Sequence, residues 1–273
     1  PESPTRASTG VGESEVQKPD VDFDDYEGLP YKNSDILEVK KVTAEVIPSQ
    51  LENIVDLMEG RDHLFYVELK DGKKLLVKPY KSNTEREVLA RLRGSEISLV
   101  VGYTPQDINP GYFVEEISNI PSIETALKSR SILLPAVASL LGMALYIMHS
   151  RGISYNGKFE NHVFADDISG KAKVSHFSSA TLASSSADFR SDVVRAFRYI
   201  DALAAEFYGG EKDRKKLRDF SMAFGSFSLG YIVPRIEENG FNGKRVYDDA
   251  VRYILSYENP DSTIVTSLKR ITR

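Results

Sequence analysis

Apolar residues fall in short, strand-length runs in the first half of the chain, Leu64–Leu69 and its return Lys74–Pro79, and adopt three-and-four spacing after Ile132. That change of pattern constrains the fold more than any other feature. A short apolar run places a strand in a core, and three-and-four spacing places one stripe of a helix there. A chain that uses first one and then the other is expected to be α+β, with an N-terminal antiparallel sheet lobe and a mainly helical C-terminal lobe.

Asp71-Gly72 between the two runs predicts a tight hairpin of type I′. Further strands are expected at Ile54–Leu57, Ile97–Val101 and Tyr112–Ile117, with a short helix over Thr84–Leu92. In the second half, Ile132–Met148, Asp192–Tyr208 and Tyr247–Tyr257 read as core helices. Ser221–Ile232, which contains Gly225 and Gly230, reads as a buried helix with a turn. The expected organisation is a disordered segment 1–25, an extension 26–53 packed on the first lobe, a sheet lobe 54–117 and a helical lobe 118–273.

Several function classes are excluded early. The formal net charge is −5, and the Lys and Arg within Glu211–Arg218 are interleaved with acids, so a solvated helix face is expected there rather than a nucleic-acid footprint. With no cysteine, disulfides and thiolate metal sites are absent. Ile132–Met148 is short of the roughly 20 apolar residues a bilayer requires, so no transmembrane span is expected. Residues 1–20 lack the apolar stretch of a signal peptide, and a leader already removed from a secreted chain would leave the same sequence, so the compartment is open.

Six segments resemble the protein kinase superfamily and occur in its order. Phe65–Gly72 followed by Leu75-Leu76-Val77-Lys78 resembles the family's second and third strands, and Glu87–Leu92 its N-lobe helix. Leu145–Ile153 resembles the approach to the catalytic loop, and Val163–Asp167 the strand that leaves it. Ala172–Ser178 resembles the strand and metal-binding turn that follow, and Arg190–Val193 the start of the helix whose aspartate braces the loop. The resemblance implies that Lys78 would hold ATP phosphates and pair with Glu87.

It also implies that the chemistry is missing. Phosphoryl transfer needs positioned phosphates, Mg²⁺ on oxygen ligands and a carboxylate for the acceptor hydroxyl. Ser154–Phe159 contains no carboxylate, and Gly157, or Asn156 or Lys158 in a register shifted by one, stands where the family has aspartate. His176 replaces the metal-binding aspartate, and His162 or Asn161 falls at the loop asparagine. Met58–His63 keeps only Gly60 of a glycine-rich loop, with Met58, Asp62 and His63 opposing a close phosphate.

The chain therefore resembles a degenerate member, a pseudokinase that binds protein partners, requires no cofactor and binds nucleotide weakly or not at all. Gly157-Lys158-Phe159 and the strand carrying Phe164 also resemble secreted rhoptry-type pseudokinases of apicomplexan parasites, which implies a partner outside the producing cell. Two alternatives use the same residues. One is a phosphotransferase or nucleotidyl-type enzyme acting through Lys78 and Glu160. The other is a Zn²⁺-type site on His162 and His176, with Glu160 or Asp192.

Overall fold

The computed structural model describes residues 21–42, 63–105, 107–108, 111–117, 121–129, 131–166, 171–183, 185–208, 214–232 and 241–271, with the side chains of 208 and 214–220 left aside. Residues 1–20, the expected strand Ile54–Leu57, the loop residues Met58, Gly60 and Asp62, and the side chains of most of the Glu211–Arg218 face lie outside the described residues.

A five-stranded antiparallel sheet forms the N-terminal lobe, with β1 (Ile36–Val42), β2 (Leu64–Leu69), β3 (Lys74–Pro79), β4 (Val100–Tyr103) and β5 (Tyr112–Glu116) in the spatial order β1-β2-β3-β5-β4. Helix α1 (Asn83–Leu92) follows β3. Its N-terminus is fixed by the Ser82 hydroxyl, which accepts from the Glu85 N–H, and Val88, Leu89 and Leu92 form its buried stripe.

The first strand differs from expectation. Ile36–Val42 lies within the segment read as a packed extension, yet it pairs along β2 from Ile36–Leu69 to Val42–Leu64. Its charged, half-exposed composition suits a sheet edge, and that composition hid it from a search for apolar runs. The β2–β3 hairpin forms, but by another turn. Gly72 alone takes positive φ, 85°, and its N–H bonds the Leu69 carbonyl, so the type I′ expectation does not hold.

The segment that precedes β1 covers one face of this sheet. Val21 and Phe23 are buried against Phe65, Val67, Leu75, Val77 and Val114. Asn33 clamps the arm by accepting from the Phe23 N–H at 2.7 Å and donating to Asp22 at 2.6 Å. Glu27 bridges Tyr103, so the β4 edge is paired as well.

The second lobe is built from α2 (Ile123–Lys128), α3 (Leu134–Ser150), α4 (Ser186–Tyr208), α5 (Arg214–Ile232), α6 (Gly243–Tyr257) and α7 (Thr263–Ile271). Between α3 and α4 lie β6 (Ile153–Ser154), β7 (Val163–Asp166), β8 (Lys171–Val174) and β9 (Thr181–Leu182), in the pairs β6–β9 and β7–β8. Helix α4 begins six residues before the expected Asp192. Helix α5 is continuous, and its Gly230 marks a helix crossing rather than the expected turn. A Cβ on Gly230 would sit 2.1 Å from the Ser139 carbonyl, and one on Gly142 would sit 2.5 Å from that of Phe227. Two glycines thus let α3 and α5 touch backbone to backbone.

The molecule is two-lobed and protein kinase-like in element order and sheet topology, as the resemblance implied. Among the described residues no helix is long and apolar enough to cross a membrane.

Candidate functional site

Register determines what faces the cleft between the lobes. Lys78 lies opposite Phe113, and Leu76 opposite Glu115, so all four side chains share one face of the sheet. Lys78 is fully buried, and its Nζ lies 2.7 Å from Glu115 Oε2, itself 1% exposed, and 5.7 Å from the centre of the Phe113 ring. The contact is a close, buried ion pair.

Glu87, the expected partner of Lys78, is exposed on α1 and pairs with Arg91 one turn away at 3.1 Å. The helix presents its apolar stripe to the core, which turns Glu87 outward. Glu115 takes its place because a buried ammonium must find an anion within its own layer. The sequence did carry a signal for it: a carboxylate inside the apolar run Tyr112–Ile117 needs a partner. Below this ceiling, Leu76 of β3, Leu99 and Phe164 of β7 form one buried cluster across the cleft.

The loop from β6 to β7 is organised by Asp192 of α4. Its Oδ2 accepts from Ser154 Oγ at 2.8 Å and from the Tyr155 N–H at 2.7 Å, and its Oδ1 accepts from the Asn156 N–H at 3.0 Å and from Arg195. Burial pushes this carboxyl up, but the His149 hydrogen bond, the Arg195 guanidinium and the Asn156 N–H outweigh it and hold the pKa at about 2.

Burial pushes the His149 imidazole down by more than Asp192 raises it, so the ring is neutral. A carboxylate only accepts, so Nε2 of His149 carries the proton given to Asp192 at 3.1 Å. Nδ1 then accepts from the Tyr231 hydroxyl at 2.5 Å, a phenol that burial keeps protonated. The charge that balances Asp192 is that of Arg195, which also donates to the Asn156 carbonyl at 3.0 Å. The His149, Tyr231 and Arg195 parts of this network were not anticipated; they come from three helices.

Around Gly157 the loop is packed with rings. Tyr155 is fully buried, stacks on Phe159 with centroids 5.2 Å apart and meets Phe177 edge-on at 6.0 Å. Its hydroxyl lies 2.9 Å from the Ser175 carbonyl and 3.0 Å from that of Lys158. A Cβ on Gly157 would approach Tyr155 Cζ to 2.7 Å, so this position has no room for a side chain unless the ring moves. Asn156 and Asn161 take positive φ, 54° and 59°. The Asn156 side chain donates to Thr181 Oγ1 at 2.8 Å, and the Asn161 N–H bonds Glu124 at 3.1 Å. Glu160 is exposed.

His162 and His176 come together as the sequence suggested, with ring centroids 4.3 Å apart and planes inclined by 41°. His176 adopts the left-handed conformation, φ 63°, immediately before buried Phe177. Among the described residues no third His, Asp or Glu joins them in a group able to hold a metal ion. Asp192, one proposed ligand, is occupied by the loop. His63 is exposed at the start of β2 with φ 59°.

No protein-family model and no curated protein matches this chain. Among solved structures it is similar to the kinase domain of maize SIRK1, sucrose-induced receptor kinase 1, in complex with AMP-PNP. The identity is 16%, over 86% of this chain and 93% of that one, with a TM-score of 0.33. Similarity at that level says nothing of activity, and the fold assignment rests on the element order and topology described above.

Proposed function

We propose that this chain is a pseudokinase, a kinase-like domain that acts by binding a protein partner and not by transferring phosphate. The observation that carries this reading is Gly157. It stands where the resemblance requires an acceptor-activating carboxylate, and the buried Tyr155 ring occupies the space that a side chain there would need. Two further features agree with it. The ammonium of Lys78 is already balanced by Glu115, so a phosphate would have to displace a carboxylate. Leu76 and Phe164 bury each other across the cleft.

The test pairs two measurements on the full chain. Thermal unfolding with ATP and Mg²⁺ is expected to show no shift, whereas a ligand at a hundred times its Kd would add about 2.7 kcal/mol. Incubation with γ-labelled ATP and a generic protein acceptor is expected to leave both proteins unlabelled. Transfer at an ordinary kinase rate, of order 1–100 s⁻¹, would overturn the reading.

A further inference from the structure

A cavity of about 530 Å³ lies away from the cleft, bounded by the C-terminal ends of α1 and α3, the start of α4 and the first turn of α6. Its walls carry three guanidinium groups, Arg91, Arg151 and Arg245, and among the described lining residues there is no Asp or Glu. On a protein of formal net charge −5, such a concentration of positive charge is a local departure from the whole. His149, Phe189 and Phe241 form an aromatic wall, with ring centroids 4.5 Å apart for His149–Phe189 and 5.4 Å for Phe189–Phe241.

The arginines are held mainly by neutral groups. Arg91 donates to the Arg151 carbonyl at 3.2 Å, and Arg151 donates to the Arg91 carbonyl at 3.4 Å. Gly152 makes this cross-brace possible: it takes φ 71°, and a Cβ there would come within 3.2 Å of Arg91 Nη1. Among the described residues the acid that pairs with Arg91 is Glu87, in an exposed one-turn contact of the kind that contributes little. Arg245 lies in the first turn of α6, whose fifteen residues begin at the wall and direct their positive dipole end toward it.

We propose that this cavity binds a phosphorylated peptide of a protein partner, with the phosphate on the arginine rim and a neighbouring apolar side chain on the aromatic wall. Guanidinium forks match a phosphate bidentately, and a dianion with three acceptor oxygens answers three of them better than one carboxylate does. The volume falls in the range of about 300–1,000 Å³ typical of small-ligand sites, enough for two side chains and far too small for a folded surface. The aromatic wall is what distinguishes a peptide from a free anion. This site gives a location to the binding role proposed above, and it stands or falls separately, because its readout is binding outside the cleft.

The experiment immobilises the full chain and compares three degenerate peptide libraries that differ at one fixed central residue, phosphoserine, glutamate or serine, with inorganic phosphate as competitor. The phosphoserine library is expected to be retained at least about tenfold over the serine library. Arg245→Ala and Arg151→Ala are each expected to reduce that retention by about tenfold, the weight of one charge-assisted contact, with unchanged melting temperature for Arg245→Ala, and Arg245→Lys is expected to recover only part of it.

Equal retention of all three libraries would overturn the proposal, as would full retention by both Arg→Ala variants. A glutamate library held as well as phosphoserine would replace the phosphate by an acidic peptide and so also overturn it. Inorganic phosphate competing at the peptides' own affinity would reduce the site to an anion patch. Phosphate transfer from ATP, should it be observed, would sink the pseudokinase reading and leave this one standing.

Discussion

Lys78 shows why a substitution in this cleft has to be read with care. In an active kinase, replacing the strand lysine tests phosphate binding. Here Lys78→Ala would take from buried Glu115 the ammonium it faces at 2.7 Å, and breaking a buried ion pair from one side costs about 3–5 kcal/mol. The expected outcome is a large fall in the urea midpoint, whatever the variant does to nucleotide. Lys78→Met combined with Glu115→Leu removes both charges and is expected to recover most of that loss in the same urea titration. At Gly157 the tempting repair, Gly157→Asp, is expected to restore no transfer and to lower stability by about 1–3 kcal/mol, because the new side chain must displace the Tyr155 ring. A thermal melt beside a transfer assay checks both halves. The sequence supplied Lys78, Gly157 and the meeting of His162 with His176. It marked Glu115 as a carboxylate in need of a partner without pairing it to Lys78, because composition identifies a strand and a helix but not the register that puts Glu115 beside the lysine and turns Glu87 away.

Among the elements, the arm from Val21 to Ile36 carries more of the sheet lobe than its polar look suggests. Phe23 is 2% exposed against Val67, Leu75 and Val114. Phe23→Ala is expected to cost about 3–5 kcal/mol, measured by chemical denaturation with near-ultraviolet dichroism as a second probe. Strand β1 escaped the sequence for a related reason: Leu-Glu-Val-Lys-Lys is an edge, with little to bury on its outer side, and an apolar run marks burial. The long helices of the second lobe were legible because each buries a continuous stripe, although α4 and α5 both begin before their apolar cores. The arginine-lined cavity was not legible at all, since its three guanidinium groups come from α1, the end of α3 and α6, which only the folded chain brings together.

For the molecule as a whole, the Tyr231–His149–Asp192 chain links α5, α3 and α4 to the loop between β6 and β7, and it makes stability depend on pH in two stages. His149 is held below its unfolded value near 6.5, so it favours the folded state above that pH and loses its contribution as protons bind the unfolded chain below it. Asp192 is held at about 2 against an ordinary 3.8, so its contribution, about 2 kcal/mol, is present above roughly pH 4 and fades between pH 4 and 2. Urea midpoints measured from pH 8 to 3 are therefore expected to fall first below about 6.5 and again below about 4. In Asp192→Asn the second fall should disappear from an already weakened protein. The arm has one more consequence, in time rather than in space. Val21 and Phe23 are made before every strand they cover, and Val114 of β5 emerges roughly 5 to 20 s later at ordinary rates of translation. The first apolar residues of the lobe to leave the ribosome are thus among the last to be sheltered, and the nascent chain must be kept from aggregating until its own middle arrives.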